Sequence, residues 1–379
     1  MDLTKAFDNV QPGVLLQDLW LHHISGRALA WIADYLSQRT QRVLCDGKHS
    51  QSMPVQKGVP QGSVLGPILF NLYVSHLPGA VSEVKIPSYA DDVTVYAISH
   101  SLSNSASLVS TAVSDIGLDL QTRGLAINID KSSAMFLASA STDCSKFHVS
   151  FDSVHLNTVF STRLLGVVID NRLIWEEHIS LVMCKVAKKI GTLQRARRML
   201  SPQARKLFLT SVIFPELDYC SSVFGCGVHV RDLLHLEALE RRALRICAGA
   251  GYSDDCAPLY KYLEIAPLQQ RWLLKILCAA FAAIKGLKPP AVQQIFQLSN
   301  DSSHGHDTRS KSAFGVRPRR AESLVADRSF GARSAVLWNA LPSACRAAPS
   351  LPAFRRSLSE LSLAAVTNLC DLAFRPLVA

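Results

Sequence analysis

The sequence has no apolar run long enough to cross a bilayer. Its longest apolar-rich stretch, Trp272 to Ile284, is interrupted by Lys275 and falls short of the roughly 20 residues that a spanning helix needs, so no membrane partner is expected. The segment Met1-Asp2-Leu3-Thr4-Lys5 lacks the basic, then apolar, then small-residue order of a secretory signal, and export is not expected. No internal repeat is visible, and the one low-complexity stretch, Ala138 to Thr142, is short and Ser/Ala-rich; collagen-like, coiled-coil and mucin-like architectures are excluded. Close cysteine pairs are also missing. The ten cysteines lie at irregular spacings, as in a reduced intracellular protein rather than a disulfide scaffold. The set Cys220, Cys226, His229 and His235 lacks the close Cys pair usual in structural zinc sites. No run of five to eight basic residues marks a nuclear address, since Arg317-Pro318-Arg319-Arg320 is too short.

What is there is an ordinary folded composition, with 48% hydrophobic and 18% charged residues in 379. At about 150 residues per domain, that length predicts two to three domains. The net charge of +10 is unevenly spread. Residues 1–150 carry 10 basic and 12 acidic side chains, residues 151–300 carry 19 and 12, and residues 301–379 carry 11 and 6. From Lys185 to Lys206 there are eight basic residues and no acid, a candidate surface for a phosphate backbone. At helical spacing Ile179, Val182, Val186, Ile190, Leu193 and Leu200 form one apolar stripe, with Lys185, Lys188, Lys189, Arg195 and Arg198 on the flank and back. An ordinary solvated helix face has the same pattern. Ser201-Pro202 then reads as the cap and first position of a second helix running to about Phe214.

The first 160 residues alternate helical and strand patterns, which points to an α/β or α+β domain. Helices are predicted at Val14–His23, Gly26–Leu36, from Gly66-Pro67 to a stop at Pro78-Gly79, and from about Asn104 to Arg123. Strands are predicted at Gln41–Asp46 and Gln51–Lys57 across Gly47-Lys48, then at Ala126–Ile129, Ser132–Leu137, Phe147–Phe151 and Leu164–Ile169. The polar region from Leu298 to Arg320 reads as a linker. Ile86–Ala90 and Val93–Ile98 are β-prone runs separated by Asp91-Asp92, which places both carboxylates at the tip of a tight hairpin.

Two adjacent acids raise each other's pKa unless a cation neutralises them. A divalent metal with a preference for hard oxygen ligands is one answer, and a pair of ions about 4 Å apart supports phosphoryl or nucleotidyl transfer. Asp-Asp is also a common turn former. Asp2, in Asp2-Leu3-Thr4-Lys5-Ala6-Phe7-Asp8, supplies a third carboxylate for such a site.

These segments occur in a telling order: Asp2 to Asp8, then Gly58-Val59-Pro60-Gln61-Gly62-Ser63-Val64-Leu65-Gly66-Pro67, then Tyr89-Ala90-Asp91-Asp92. Asn128-x-x-Lys131-Ser132 follows, then Leu164-Leu165-Gly166-Val167 with Asp170 and Trp175, and a weaker match from Arg333 through Trp338-Asn339-x-Leu341-Pro342. The whole closely resembles the reverse transcriptases of LINE-type (non-LTR) retrotransposons. The resemblance implies an α+β fold: a right-hand polymerase palm over residues 1–172, a helical thumb over 173–250 and a helical C-terminal extension over 251–379.

It implies RNA-directed DNA polymerase activity with two Mg²⁺ ions, or Mn²⁺ in their place, and with an RNA template, a DNA primer and dNTPs as partners. Asp2 and Asp91 would bind the metals, with Asp92 as the adjacent acid. Phe7 falls where the family packs an aromatic under the sugar, Gln61 and Gly62 fall in its nucleotide-contacting turn, and Lys131 falls near the leaving pyrophosphate. Leu164 to Asp170 matches the primer-gripping hairpin, and the basic helices after Trp175 match the thumb. Because the match begins at residue 2, a chain lacking the family's fingers is expected, acting in the nucleus or cytoplasm. The competing expectation is an inactive, nucleic-acid-binding remnant.

Overall fold

A computed structural model describes residues 1–77, 84–138, 142–298, 315–317 and 324–374. The chain combines helices with short strands and divides into two compact units, Met1–Leu165 and Gly166–Ala379. The boundary falls at Leu165-Gly166, both at positive φ (46° and 85°), inside the run expected to be one strand. The expected linker near 298–320 and the Pro78-Gly79 stop lie almost wholly outside the described residues.

In the first unit β1 (Asp2–Leu3) leads into α1 (Ala6–Asn9), α2 (Pro12–Leu21) and α3 (Gly26–Leu36). Pro12 starts α2 because a first-turn proline loses no intrahelical bond, and Leu15 and Leu19 bury its inner face. β2 (Arg39–Gln41) pairs antiparallel with β5 (Met53–Val55), and between them β3 (Leu44–Cys45) pairs with β4 (Lys48–His49). The turn is Asp46-Gly47 rather than the expected Gly47-Lys48, since both residues hold the positive φ (50° and 76°) that a type I′ hairpin requires.

α4 (Gly66–Tyr73) and α5 (Leu102–Thr122) pack Phe70, Tyr73, Val113, Ile116 and Leu120 into one core with Leu3, Val10 and Leu19. Between them lies the hairpin β6 (Ser88–Tyr89) and β7 (Asp92–Val93). Inside that core Arg123 Nη1 bonds Asp18 Oδ2 at 2.6 Å and the Tyr73 carbonyl at 3.2 Å, while the Tyr73 hydroxyl donates to the Arg123 carbonyl. α2, α4 and the end of α5 are thereby tied by a satisfied polar knot. The unit closes with β8 (Ile127–Asn128), β9 (Ser133–Ala134), β10 (Ser150–Phe151), β11 (Val154–His155), β12 (Asn157–Thr158) and β13 (Ser161–Leu164).

The second unit opens with β14 (Val167–Asp170) and is otherwise mostly helical. The Asp170 carboxylate accepts from the backbone N–H groups of Arg172 (3.0 Å), Ile174 (3.1 Å) and Trp175 (2.8 Å). It thus builds the turn that starts α6 (Glu176–Ala196), a structural reason for finding Asp170 and Trp175 together. Five of the six stripe residues form the buried face of α6, Ile179, Val182, Val186, Ile190 and Leu193 being at most 6% exposed, whereas Leu200 lies beyond the helix end and is partly buried. Ser201 caps α7 (Pro202–Phe208) through the Ala204 N–H, as its sequence predicts. The helix continues through a π-helical turn, Leu209–Ile213, into α8 (Phe214–Asp218), where Pro215 cannot donate to the regular ladder.

α9 (Ser221–Phe224), α10 (Val230–Ala248), α11 (Ala257–Tyr262) and α12 (Leu268–Ile284) complete a first core. The apolar run Trp272 to Ile284 is α12 itself. Leu268 and Trp272 enter the first core, whereas Ile276, Phe281 and Ala283 enter a second one with Trp338, Leu341 and Phe354. Burial in two cores explains the density of apolar residues, and no compact-unit boundary falls near residue 250. Among the described residues no single helix is long and apolar enough to cross a membrane, although the bent pair Pro202–Asp218 and Ser221–Gly227 passes by length and composition.

Candidate active site

β1 is held on both sides. Asp2 and Leu3 face Asn128 and Ile127 of β8 in antiparallel register, and Met1 exchanges backbone bonds with Val93 of β7 (2.7 and 3.3 Å). The Asp2 N–H donates to Ser132 Oγ (3.1 Å), whose own hydroxyl donates to the Asn128 carbonyl (2.7 Å). Asn128 Oδ1 accepts the Lys131 N–H (3.2 Å). The spacing Asn128-x-x-Lys131-Ser132 therefore closes a turn that anchors Asp2 through Ser132 and carries Lys131. Period-2 alternation does the rest: Leu3 is buried at 4% exposure, and Asp2 turns the other way.

The β6–β7 hairpin corrects the expected placement of the acids. Tyr89 pairs with Asp92, so the two-residue turn is Ala90-Asp91, with Ala90 at φ 52°. Only Asp91 sits in the turn. Asp92 is the first residue of β7 and is exposed.

The 58–66 segment is pinned to α1 by backbone. Gly58 N–H donates to the Val10 carbonyl (2.7 Å) and Val59 N–H to the Phe7 carbonyl (2.9 Å). Gly58 has φ +84°, and a Cβ there would stand 2.8 Å from Asp8 Cα, so glycine is required twice over. Gly62, at φ +80° with open space around it, needs glycine for its backbone angle alone. Arg39 donates to the carbonyls of Lys57 (3.0 Å) and Gly58 (2.5 Å), and nothing in the local pattern marks it for that task. Phe7 is half-buried and stacks on fully buried Phe70 (centroids 4.4 Å apart, planes 21°), so it belongs at once to the core and to the cleft.

These segments enclose a cleft of about 490 Å³. Asp2, Phe7, Gln61, Gly62, Asp91 and Lys131, six of the seven site residues expected in this unit, line it together with Lys5. Asp92 does not line it. Among the described residues no three His, Cys, Asp or Glu side chains are grouped as a metal cluster. Two hard carboxylate donors, Asp2 and Asp91, remain on one cleft. That set fits a divalent cation such as Mg²⁺, which usually takes one or two protein carboxylates and completes its shell with water and substrate phosphate.

In the second unit the five expected nucleic-acid contacts divide. Lys189 Nζ bonds Glu216 Oε1 (2.6 Å) and the Val212 carbonyl (3.0 Å), and Lys185 Nζ lies 3.6 Å from Glu216 Oε2. The Lys189 hydrogen bond is the main cause holding the Glu216 carboxyl below its ordinary pKa. Lys188, Arg195 and Arg198 are exposed. A larger ionic cluster escaped local reading. Fully buried Glu240 accepts from Tyr260 Oη (2.8 Å), the Leu268 N–H (3.0 Å) and Arg271, while Arg271 also grips Asp218 bidentately (3.0 and 3.1 Å). Burial opposes the Arg271 charge, yet Glu240 and Asp218 outweigh it and hold its pKa above the ordinary value.

With this geometry in place, comparison with known proteins gives a consistent result. Residues 1–169 match the profile of the family described as reverse transcriptase (RNA-dependent DNA polymerase), and this part of the chain is a reverse transcriptase domain. The relatives it is similar to are RNA-directed DNA polymerases and Pol polyproteins of mobile elements. The chain is 26% identical over 279 residues to the RNA-directed DNA polymerase from mobile element jockey of Drosophila melanogaster, covering 71% of this chain and 30% of that protein. The jockey polymerase of Drosophila funebris is 27% identical over 261 residues, covering 66% and 28%. A Pol polyprotein from type-1 retrotransposable element R1 2 of Nasonia vitripennis is 26% identical over 182 residues, covering 44% and 43%. The chain thus spans about 30% of the length of the jockey proteins it matches.

Proposed function

We propose that this chain performs RNA-directed DNA synthesis, adding dNTPs to the 3′ end of a DNA primer on an RNA template. The observation that carries this reading is the cleft: residues from four separated segments, singled out by their order and spacing, meet around one space of about 490 Å³. In this reading residues 1–172 are the palm, 173–250 the thumb and 251–379 a C-terminal extension.

Asp2 and Asp91 would hold the divalent ions, Mg²⁺ or Mn²⁺, which would supply activation of the primer hydroxyl and neutralisation of the leaving phosphate. Asp92, on the neighbouring strand position, adds negative potential rather than a cleft-lining donor. Phe7 supports the sugar, and its stack on Phe70 keeps it from yielding to a bulkier one. Gln61 and the glycine backbone at Gly62 contact the nucleotide, and Lys131 places a cation by the departing pyrophosphate. The exposed cations Lys188, Arg195 and Arg198 hold the template–primer backbone, with Lys185 at their edge and Lys189 fixing the helix that carries them. Substrates of this kind imply action in the nucleus or cytoplasm.

A second reading is a remnant that binds nucleic acid without catalysis; the position of Asp92 outside the cleft lining favours it. Primer extension on an RNA template with Mg²⁺ separates the two. Incorporation by the wild-type chain that disappears in Asp91→Ala and Asp92→Ala supports polymerase activity, and salt-sensitive binding without incorporation supports the remnant.

A further inference from the structure

We propose that Asp8 is a positioning residue that decides which end of the Gln61 amide faces the cleft; the inference rests on the nucleotide-binding reading of that cleft. Gln61 Nε2 donates to Asp8 Oδ1 at 2.9 Å. An ionised carboxylate only accepts, so the amine end of the amide must turn toward Asp8. The carbonyl oxygen Oε1 is then the polar end left for the cleft, which Gln61 lines and Asp8 does not. Gln61 is thereby set as an acceptor. It selects a ligand group that donates, a hydroxyl or an amine of the nucleotide, over a phosphate or carbonyl oxygen.

Both partners are exposed, and an exposed side-chain hydrogen bond between free segments would contribute little on its own. Here the segments are not free. The Gly58 and Val59 amides bond the Val10 and Phe7 carbonyls on either side of Asp8, and the absent Gly58 side chain lets the two backbones touch. At the other end Ser63 Oγ donates to the Pro60 carbonyl (2.7 Å) and accepts from the Gly66 N–H (3.0 Å), fixing the turn around Gln61. The side-chain bond therefore closes between two scaffolds already ordered, and its effect is on orientation rather than on folding.

The test uses the full chain, an RNA template annealed to a dideoxy-terminated DNA primer, Mg²⁺, and the next complementary dNTP titrated while the ternary complex is measured. Asp8→Ala and Gln61→Ala are each expected to weaken dNTP binding about tenfold, the effect of one oriented hydrogen bond. The double variant should be no weaker than either single one, because each removes the same interaction. Asp8→Asn keeps an acceptor oxygen and should restore binding to within about twofold of wild type. Melting temperatures should stay level across the set, whereas a purely structural Asp8 would lower them and would not be masked by Gln61→Ala. If Gln61→Ala weakens binding and Asp8→Ala does not, the role of Asp8 is overturned and the cleft reading stands. If no ternary complex forms, or Gln61→Ala and Asp91→Ala bind as wild type does, the cleft reading falls and takes this inference with it.

Discussion

Residues 1–165 and residues 166–379 both bury ion pairs, Arg123–Asp18 in the first and the Glu240–Arg271–Asp218 cluster in the second, and differ in where other principal charges stand. In the first unit Asp2, Asp91 and Lys131 stand around a cleft and are placed by backbone: a two-residue strand, a turn through Ala90 at positive φ, and an Asn128-capped loop. In the second unit the principal charges are spent on each other, with Glu240, Arg271 and Asp218 interlocked in the interior and Lys189 bound to Glu216. A charge left uncompensated toward open space is available for a ligand, whereas one paired inside a core specifies packing. The basic helix carries charges of both kinds. Lys188, Arg195 and Arg198 belong with the available charges, and Lys189 belongs with the structural ones.

The contrast can be broken most forcefully at Glu240. Glu240→Ala leaves Arg271 buried beside a single remaining acid and is expected to cost about 3–5 kcal/mol, read as a drop in the urea midpoint of the second unit. An unchanged midpoint would show that the cluster is not structural. In the first unit the corresponding weak point is backbone. Gly58→Ala meets both a positive φ and the Asp8 backbone, and a cost of roughly 1–3 kcal/mol is expected, with the loss of the 58–66 register seen as faster amide exchange at Val59.

A smaller effect sharpens the sorting of the basic residues. Replacing Lys188, Arg195 and Arg198 by Gln should reduce the salt dependence of duplex binding by roughly 0.9 log units for each phosphate no longer neutralised. Lys189→Gln should change that slope least and stability by less than about 1 kcal/mol. Its signature is in the pH dependence. Because the Glu216 pKa is depressed, chiefly by its Lys189 hydrogen bond, the stabilisation is present above the ordinary Glu range and is lost as pH falls through the depressed value. Lys189→Gln should flatten that acid limb.

Much of the fold is legible in short-range pattern. Helix α3 spans Gly26–Leu36 as its sequence predicts, and the buried stripe of α6 follows from 3.6-residue periodicity. What escapes is whatever depends on a backbone angle or a distant partner. The hairpin turn falls on Ala90-Asp91 because Ala90 adopts a conformation its side chain does not advertise, and that one-residue shift moves Asp92 out of the cleft. The bonds joining Asp8 to Gln61 and Arg271 to Asp218 each span 53 residues, beyond the reach of any local motif. The cleft residues themselves are legible as an ordered set of motifs, while their mutual support through Arg39, Ser132 and Asp8 is not.

In the proposed function the Asp2 and Asp91 carboxylates hold the ions of nucleotidyl transfer. Counting bound Mn²⁺ by electron paramagnetic resonance tests it most directly, on the full chain with an RNA–DNA hybrid, a terminated primer and the next dNTP. About two ions per complex are expected in the wild type, fewer in Asp2→Asn and Asp91→Asn, and no change in Lys188→Gln. Equal occupancy in wild type and Asp91→Asn would contradict it.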